Sequence, residues 1–95
     1  MQFRWNSEKN LQLQQTRNIS FEKIVFAIEN GGLIDIVPHP NKDKYPNQLV
    51  YVVNIEQYIH LVPFVKENPD IRFLKTIIPS RKATKKYIPN RVHEI

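Results

Sequence analysis

Between Ile71 and Arg91 the chain carries seven basic side chains and no acidic one: Arg72, Lys75, Arg81, Lys82, Lys85, Lys86 and Arg91. Cations at that density attract polyanions, and phosphate contacts from Lys and Arg dominate sequence-independent nucleic-acid affinity. A solvated basic surface is the plainer alternative, since charge runs are common on exposed faces. His39, His60 and His93, with Glu22 and Tyr87, add groups able to accept or donate a proton. A His or Glu that removes the proton of a 2′-hydroxyl frees that oxygen to attack the adjacent phosphate. A Lys or Arg then stabilises the charge gathered on the phosphorane-like transition state. This set is sufficient to cleave RNA without a metal. The three histidines are widely separated, and neither a Gly-rich phosphate loop nor a nucleophile elbow is present. No metal site and no cofactor are therefore expected.

The rest of the chain has to position these groups. Its 95 residues suit a single domain over 1–95, with 88–95 read as a tail. Hydrophobic residues make up 41%, enough for a core, and the absence of Cys removes disulfides and thiolate chemistry together. Lacking cross-links, a targeting segment or a long apolar run, the protein is expected to be soluble and cytoplasmic. Residues 1–60 carry six basic and six acidic side chains, so the whole net charge of +5 falls in residues 61–95.

Local patterns predict the elements. Gln2 to Trp5 reads as a short strand, and Asn6 or Ser7 as the cap of a helix running to about Arg17, with only Leu11 and Leu13 for an apolar stripe. Ser20 caps a second helix with Phe21, Ile24, Val25 and Ile28 on one face, stopped by Gly31-Gly32. Strands follow at 33–37, 49–55, 58–65 and 71–78, and Ser80 caps a short basic helix from Arg81 to Tyr87. Pro63 argues for an edge or a bulge. The expected fold is α+β: a small antiparallel sheet with two N-terminal helices and a short C-terminal helix, the helices mostly on one face. Pairing Val65 with Ile71 puts Ile59, Leu61, Val65, Ile71, Phe73, Lys75 and Ile77 on one face, expected to meet the helices. Tyr58, His60, Val62, Phe64, Arg72, Leu74, Thr76 and Ile78 then fall on the other.

Three segments add a resemblance. Trp5 with Ser7-Glu8-Lys9-Asn10, then Ile19-Ser20-Phe21-Glu22, then Ile77-Ile78-Pro79-Ser80-Arg81-Lys82-Ala83-Thr84 look like successive motifs of the BrnT toxins of bacterial type II toxin–antitoxin systems. The resemblance implies a RelE-like α+β fold and endoribonuclease activity. It also implies a cognate antitoxin, usually with a ribbon-helix-helix DNA-binding fold, that neutralises the toxin and represses the operon. The chain departs from the family at Thr16-Arg17-Asn18, where members often carry Lys-His-Gly, and Arg17 occupies the position of that His. Pro79 is a second departure, and residues 39–64 match poorly.

Expected catalytic residues are Arg81, whose planar guanidinium suits a phosphate, with His60, Lys75 and Glu22. Lys9, Arg17, His39, Arg72, Lys82, Lys85, Lys86 and Tyr87 are expected to bind RNA, Tyr87 by stacking on a base. Two rival readings are a non-catalytic nucleic-acid-binding or interaction module and an inhibitor of an acidic protein.

Overall fold

The computed structural model describes residues 1–89. Arg91, His93 and most of the expected tail lie outside the described residues. In chain order the elements are β1 (Gln2–Trp5), α1 (Ser7–Arg17), α2 (Phe21–Glu29), β2 (Leu33–Pro38), β3 (Gln48–Ile55), β4 (Tyr58–Asn68), β5 (Ile71–Leu74), β6 (Ile78–Pro79) and α3 (Arg81–Tyr87). The expected caps form: Asn6 Oδ1 accepts from the Lys9 amide, Ser20 Oγ from Lys23, and Ser80 Oγ from Ala83. Asn18 ends α1 in the left-handed region at φ 55°. A Cβ on Gly32 would stand 2.8 Å from Asn54 O and 2.9 Å from Ala27 O, so only glycine fits between α2 and the sheet.

One buried polar side chain joins the two long helices. Asn10 Oδ1 accepts from the Phe21 amide at 2.8 Å, and its Nδ2 donates to Glu22 Oε1 at 2.7 Å. Asn10→Ala leaves the Phe21 amide without its partner and is expected to cost about 1–3 kcal/mol, read as a lower urea midpoint at unchanged slope.

The sheet runs β1-β5-β4-β3-β2, with β6 also paired to β4. It is mixed rather than antiparallel throughout. The meander from β2 to β5 is antiparallel, but β1 enters beside β5 in parallel, Gln2 opposite Ile71 and Trp5 opposite Leu74. Such a pair needs a long connection, here everything from α1 to β4.

The expected faces hold along β4 and β5, because Val65 pairs with Phe73, a slip of two residues that keeps parity. The face that meets α1 and α2 is the opposite of the expected one. Tyr51, Val53, Ile55, Val62, Phe64 and Leu74 form the core with Leu13, Phe21 and Ile24. Tyr51 stacks on Phe64 at 3.9 Å and Trp5 on Phe21 at 5.6 Å. His60 and Arg72, the polar members of that face, stand toward its margins and leave its centre apolar.

Parity breaks after Leu74. Between the pairs Phe64–Leu74 and Leu61–Ile78, β4 spends two residues and its neighbour three. That bulge turns Ile77 into the core and Ile78 to the opposite face. Pro63 sits opposite it and accepts from the Lys75 amide at 2.8 Å. The residue without an N–H thus lies in an inner strand, where its neighbour's ladder is interrupted.

The third helix does not join the other two. Thr84, fully buried, accepts from the Ile59 amide at 2.8 Å and donates to Ser80 O at 2.7 Å, replacing the ladder where β6 stops. Its neighbours Lys82, Ala83, Lys86 and Tyr87 line a groove over Val50, Val52 and Leu61, on the face away from α1 and α2.

Candidate functional site

Where α1 and α2 meet the β3–β4 hairpin, an open cleft of about 260 Å³ is lined by Arg17, Asn18, Ile19, Lys23, Ile55, Glu56, Tyr58 and His60. Each polar group has a local reason to be there. Arg17 is in the last turn of α1, and its Nη1 donates to Ile77 O at 2.7 Å, a carbonyl within the bulge. Lys23 is in the first turn of α2, three residues after its serine cap. Tyr58 and His60 alternate along β4 and so share a face, their rings edge-on at 5.8 Å.

The hydrogen bonding of His60 fixes its tautomer. Nδ1 lies 3.2 Å from the Tyr58 carbonyl oxygen. A carbonyl can only accept, so Nδ1 carries the proton in the neutral ring and Nε2 keeps its lone pair. Burial lowers the His60 pKa from the usual 6.5, the Tyr58 carbonyl opposes the shift, and the Lys23 charge adds to it. The ring is therefore neutral at pH 7 and able to take a proton.

The same shift has a consequence for stability. Below pH 6.5 the unfolded chain binds a proton that folded His60 resists, so stability falls with pH until the folded-state pKa is passed. Urea denaturation at pH 7.5 and 5.5 should show a larger loss for the native chain than for His60→Gln.

Strain lies at the rim. Ile55 pairs with Tyr58 across a two-residue turn in which Glu56 (φ 53°) and Gln57 (φ 66°) are both left-handed. Such a turn favours Asn-Gly. Replacing Glu56-Gln57 by Asn-Gly is expected to raise stability by about 1–2 kcal/mol, measured by urea denaturation.

Of the residues singled out in the sequence, only Arg17 and His60 line this cleft. Glu22 is tied to Asn10, and Lys9 lies on α1 with its amide on the Asn6 cap. Arg72 Nη1 donates to Asn68 O at 3.0 Å and Pro69 O at 3.1 Å, clamping the β4–β5 turn. Lys75 is exposed with its Nζ 5.3 Å from the Phe73 ring centre. Arg81 and Lys85 are exposed on α3 and line neither cavity, while His39, Lys82, Lys86 and Tyr87 line the groove on the other face. Lys23, Glu56 and Tyr58 were not singled out as site residues. Tyr58 had a signal, two residues before His60 in a strand; Lys23 and Glu56 come near only through the tertiary fold.

Fold and cleft together define a small α+β protein with a mixed six-stranded sheet and a cationic cleft around a neutral histidine. No family model, curated protein or solved structure matches the chain. Among the described residues, no helix is long and apolar enough to cross a membrane, and no cluster of three His, Asp or Glu side chains could hold a metal ion.

Proposed function

We propose that this protein is a metal-independent endoribonuclease, the toxin component of a type II toxin–antitoxin system, with a RelE-like fold of the BrnT kind. It acts in the cytoplasm and is neutralised by a cognate antitoxin, a ribbon-helix-helix protein, in a hetero-oligomeric complex. The observation supporting this most directly is a His60 ring with a free Nε2 lone pair in one cleft with the cations of Arg17 and Lys23. In this reading His60 removes the 2′-hydroxyl proton and the freed oxygen attacks phosphorus. Arg17 and Lys23 stabilise the added charge. The bond to the 5′-oxygen breaks, and that oxygen takes a proton from the Tyr58 hydroxyl, which solvent replenishes. The products are a 2′,3′-cyclic phosphate and a 5′-hydroxyl end.

Inducible expression without an antitoxin is expected to arrest growth and deplete messenger RNA. Purified protein should cut RNA in excess chelator, leaving those two ends. Folded protein that leaves both culture and RNA intact refutes the reading. The exposed cations Arg81 and Lys85, outside the cleft, favour a second one: a non-catalytic nucleic-acid-binding module, recognised by RNA affinity without cleavage.

A further inference from the structure

The groove between β2 and α3 shares no lining residue with the cleft. It has a volume of about 430 Å³ and an aliphatic floor that includes Val50, Val52, Leu61, Pro63 and Ile78. Ile78 is 42% exposed, so its side chain is open to an occupant of the groove. Lys82 and Lys86, one helical turn apart, line the α3 wall, and among the described residues no acidic side chain lines the groove.

Its walls are tied in place by the protein's own side-chain contacts. Tyr87 Oη donates to Asp35 Oδ2 at 3.3 Å, linking α3 to β2. On the far wall the His39 ring packs on Tyr45 at 4.6 Å, and its Nδ1 accepts from the Asn41 amide at 3.0 Å. A preformed groove saves its occupant the cost of ordering it.

We propose that this groove binds an acidic, apolar-anchored segment of a partner protein. One or two large apolar side chains would fill the aliphatic floor, and flanking Asp or Glu would meet Lys82 and Lys86. Buried anchors inside a charged rim are how peptide grooves obtain both affinity and selectivity. Single-stranded nucleic acid fits less well, because it binds by stacking bases on free aromatic faces. Here the His39 ring is against Tyr45, Lys86 Nζ lies 5.3 Å from the centre of the Tyr87 ring, and the floor is aliphatic. The proposal goes beyond the ribonuclease reading and does not depend on it.

The probe is a displayed library of random 12-residue peptides, selected on the full chain with no RNA present. Enriched peptides are expected to combine Leu, Ile, Phe or Trp with two or more acidic residues. Measured by fluorescence anisotropy, their affinity should fall at least tenfold in the double variant K82E/K86E and at least tenfold in Ile78→Ser, a change at an exposed site. Circular dichroism checks that both variants fold. Enrichment of no such pattern, or binding indifferent to both variants, overturns the proposal. Displacement of the peptide by single-stranded RNA, with RNA affinity lost in the same two variants, assigns the groove to nucleic acid instead. A second copy offers its own acidic ridge on α2, Glu22, Phe26 and Glu29, with Phe26 67% exposed. Self-association in sedimentation, abolished by Phe26→Asp, would give the groove to that ridge and also overturn the proposal. Peptide binding is read without cleavage, so failure here leaves the ribonuclease reading standing, and the reverse holds.

Discussion

His60→Gln is expected to slow RNA cleavage by about 10²–10⁴-fold, the usual worth of a positioned general base, with the fold retained. Glutamine preserves a donor able to reach the Tyr58 carbonyl but supplies no basic nitrogen. The pH profile makes the assignment specific. Cleavage by the native chain should fall on the acid side with a midpoint below 6.5, because burial and Lys23 both disfavour the charged ring. Removing the nearby positive charge in Lys23→Gln raises the His60 pKa, so the acid limb should move toward 6.5. A structural histidine would show neither movement. An NMR titration of the His60 ring should give the same midpoint as the kinetics, and an active His60→Gln protein would remove His60 from the chemistry.

The helices, the first four strands and the caps were legible because each rests on local chemistry, whereas the strand expected over 71–78 stops at Leu74 and resumes as β6. Asn6, Ser20 and Ser80 cap wherever an amide three residues on needs an acceptor, and Gly31-Gly32 stops a helix under almost any surroundings. The parallel entry of β1 was not legible, since nothing in Gln2–Trp5 distinguishes the two edges of a sheet. Assigning the core face failed for a related reason. Counting polar residues per face gives those at the margins the same weight as those at the centre, so His60 and Arg72 disguised the face that holds Val62, Phe64 and Leu74. Pro63 signalled an irregularity correctly, but the extra residue sits in the neighbouring strand, which no reading of β4 alone reveals.

Of the residues that line the candidate cleft, the sequence pointed to Arg17 and His60. Charge density drew attention to α3, yet the cleft takes its cations from α1 and α2, at Arg17 and Lys23. A run of like charges marks a surface that solvent tolerates, whereas a site needs cations converging from separate elements. Arg17 drew notice only through the resemblance of its neighbouring segments to a toxin family, not through its own spacing or charge. Lys23 had no such marker.

Substitution at Arg17 therefore separates the two places where catalysis could reside. Arg17→Ala is expected to lower the cleavage rate by about 10²–10³-fold, the loss seen when one preorganised donor to a developing charge is removed. Arg17→Lys keeps a charge but not the fork. With Nη1 committed to Ile77 O, the guanidinium has Nη2 and Nε left for a phosphate, while a single ammonium cannot hold the carbonyl and the substrate in the same geometry. Lysine should thus restore only part of the rate. Because the lost tether to Ile77 also touches the bulge, urea stability is measured beside activity, and a rate loss at little-changed stability marks a catalytic role. Arg81→Ala, an exposed change in the first turn of α3, should cost less than about tenfold, the smaller effect of a distant charge on encounter with a polyanion. If Arg81→Ala proves the more damaging of the two, the reacting phosphate lies at the start of α3, and the cleft beside His60 is not where RNA is cut.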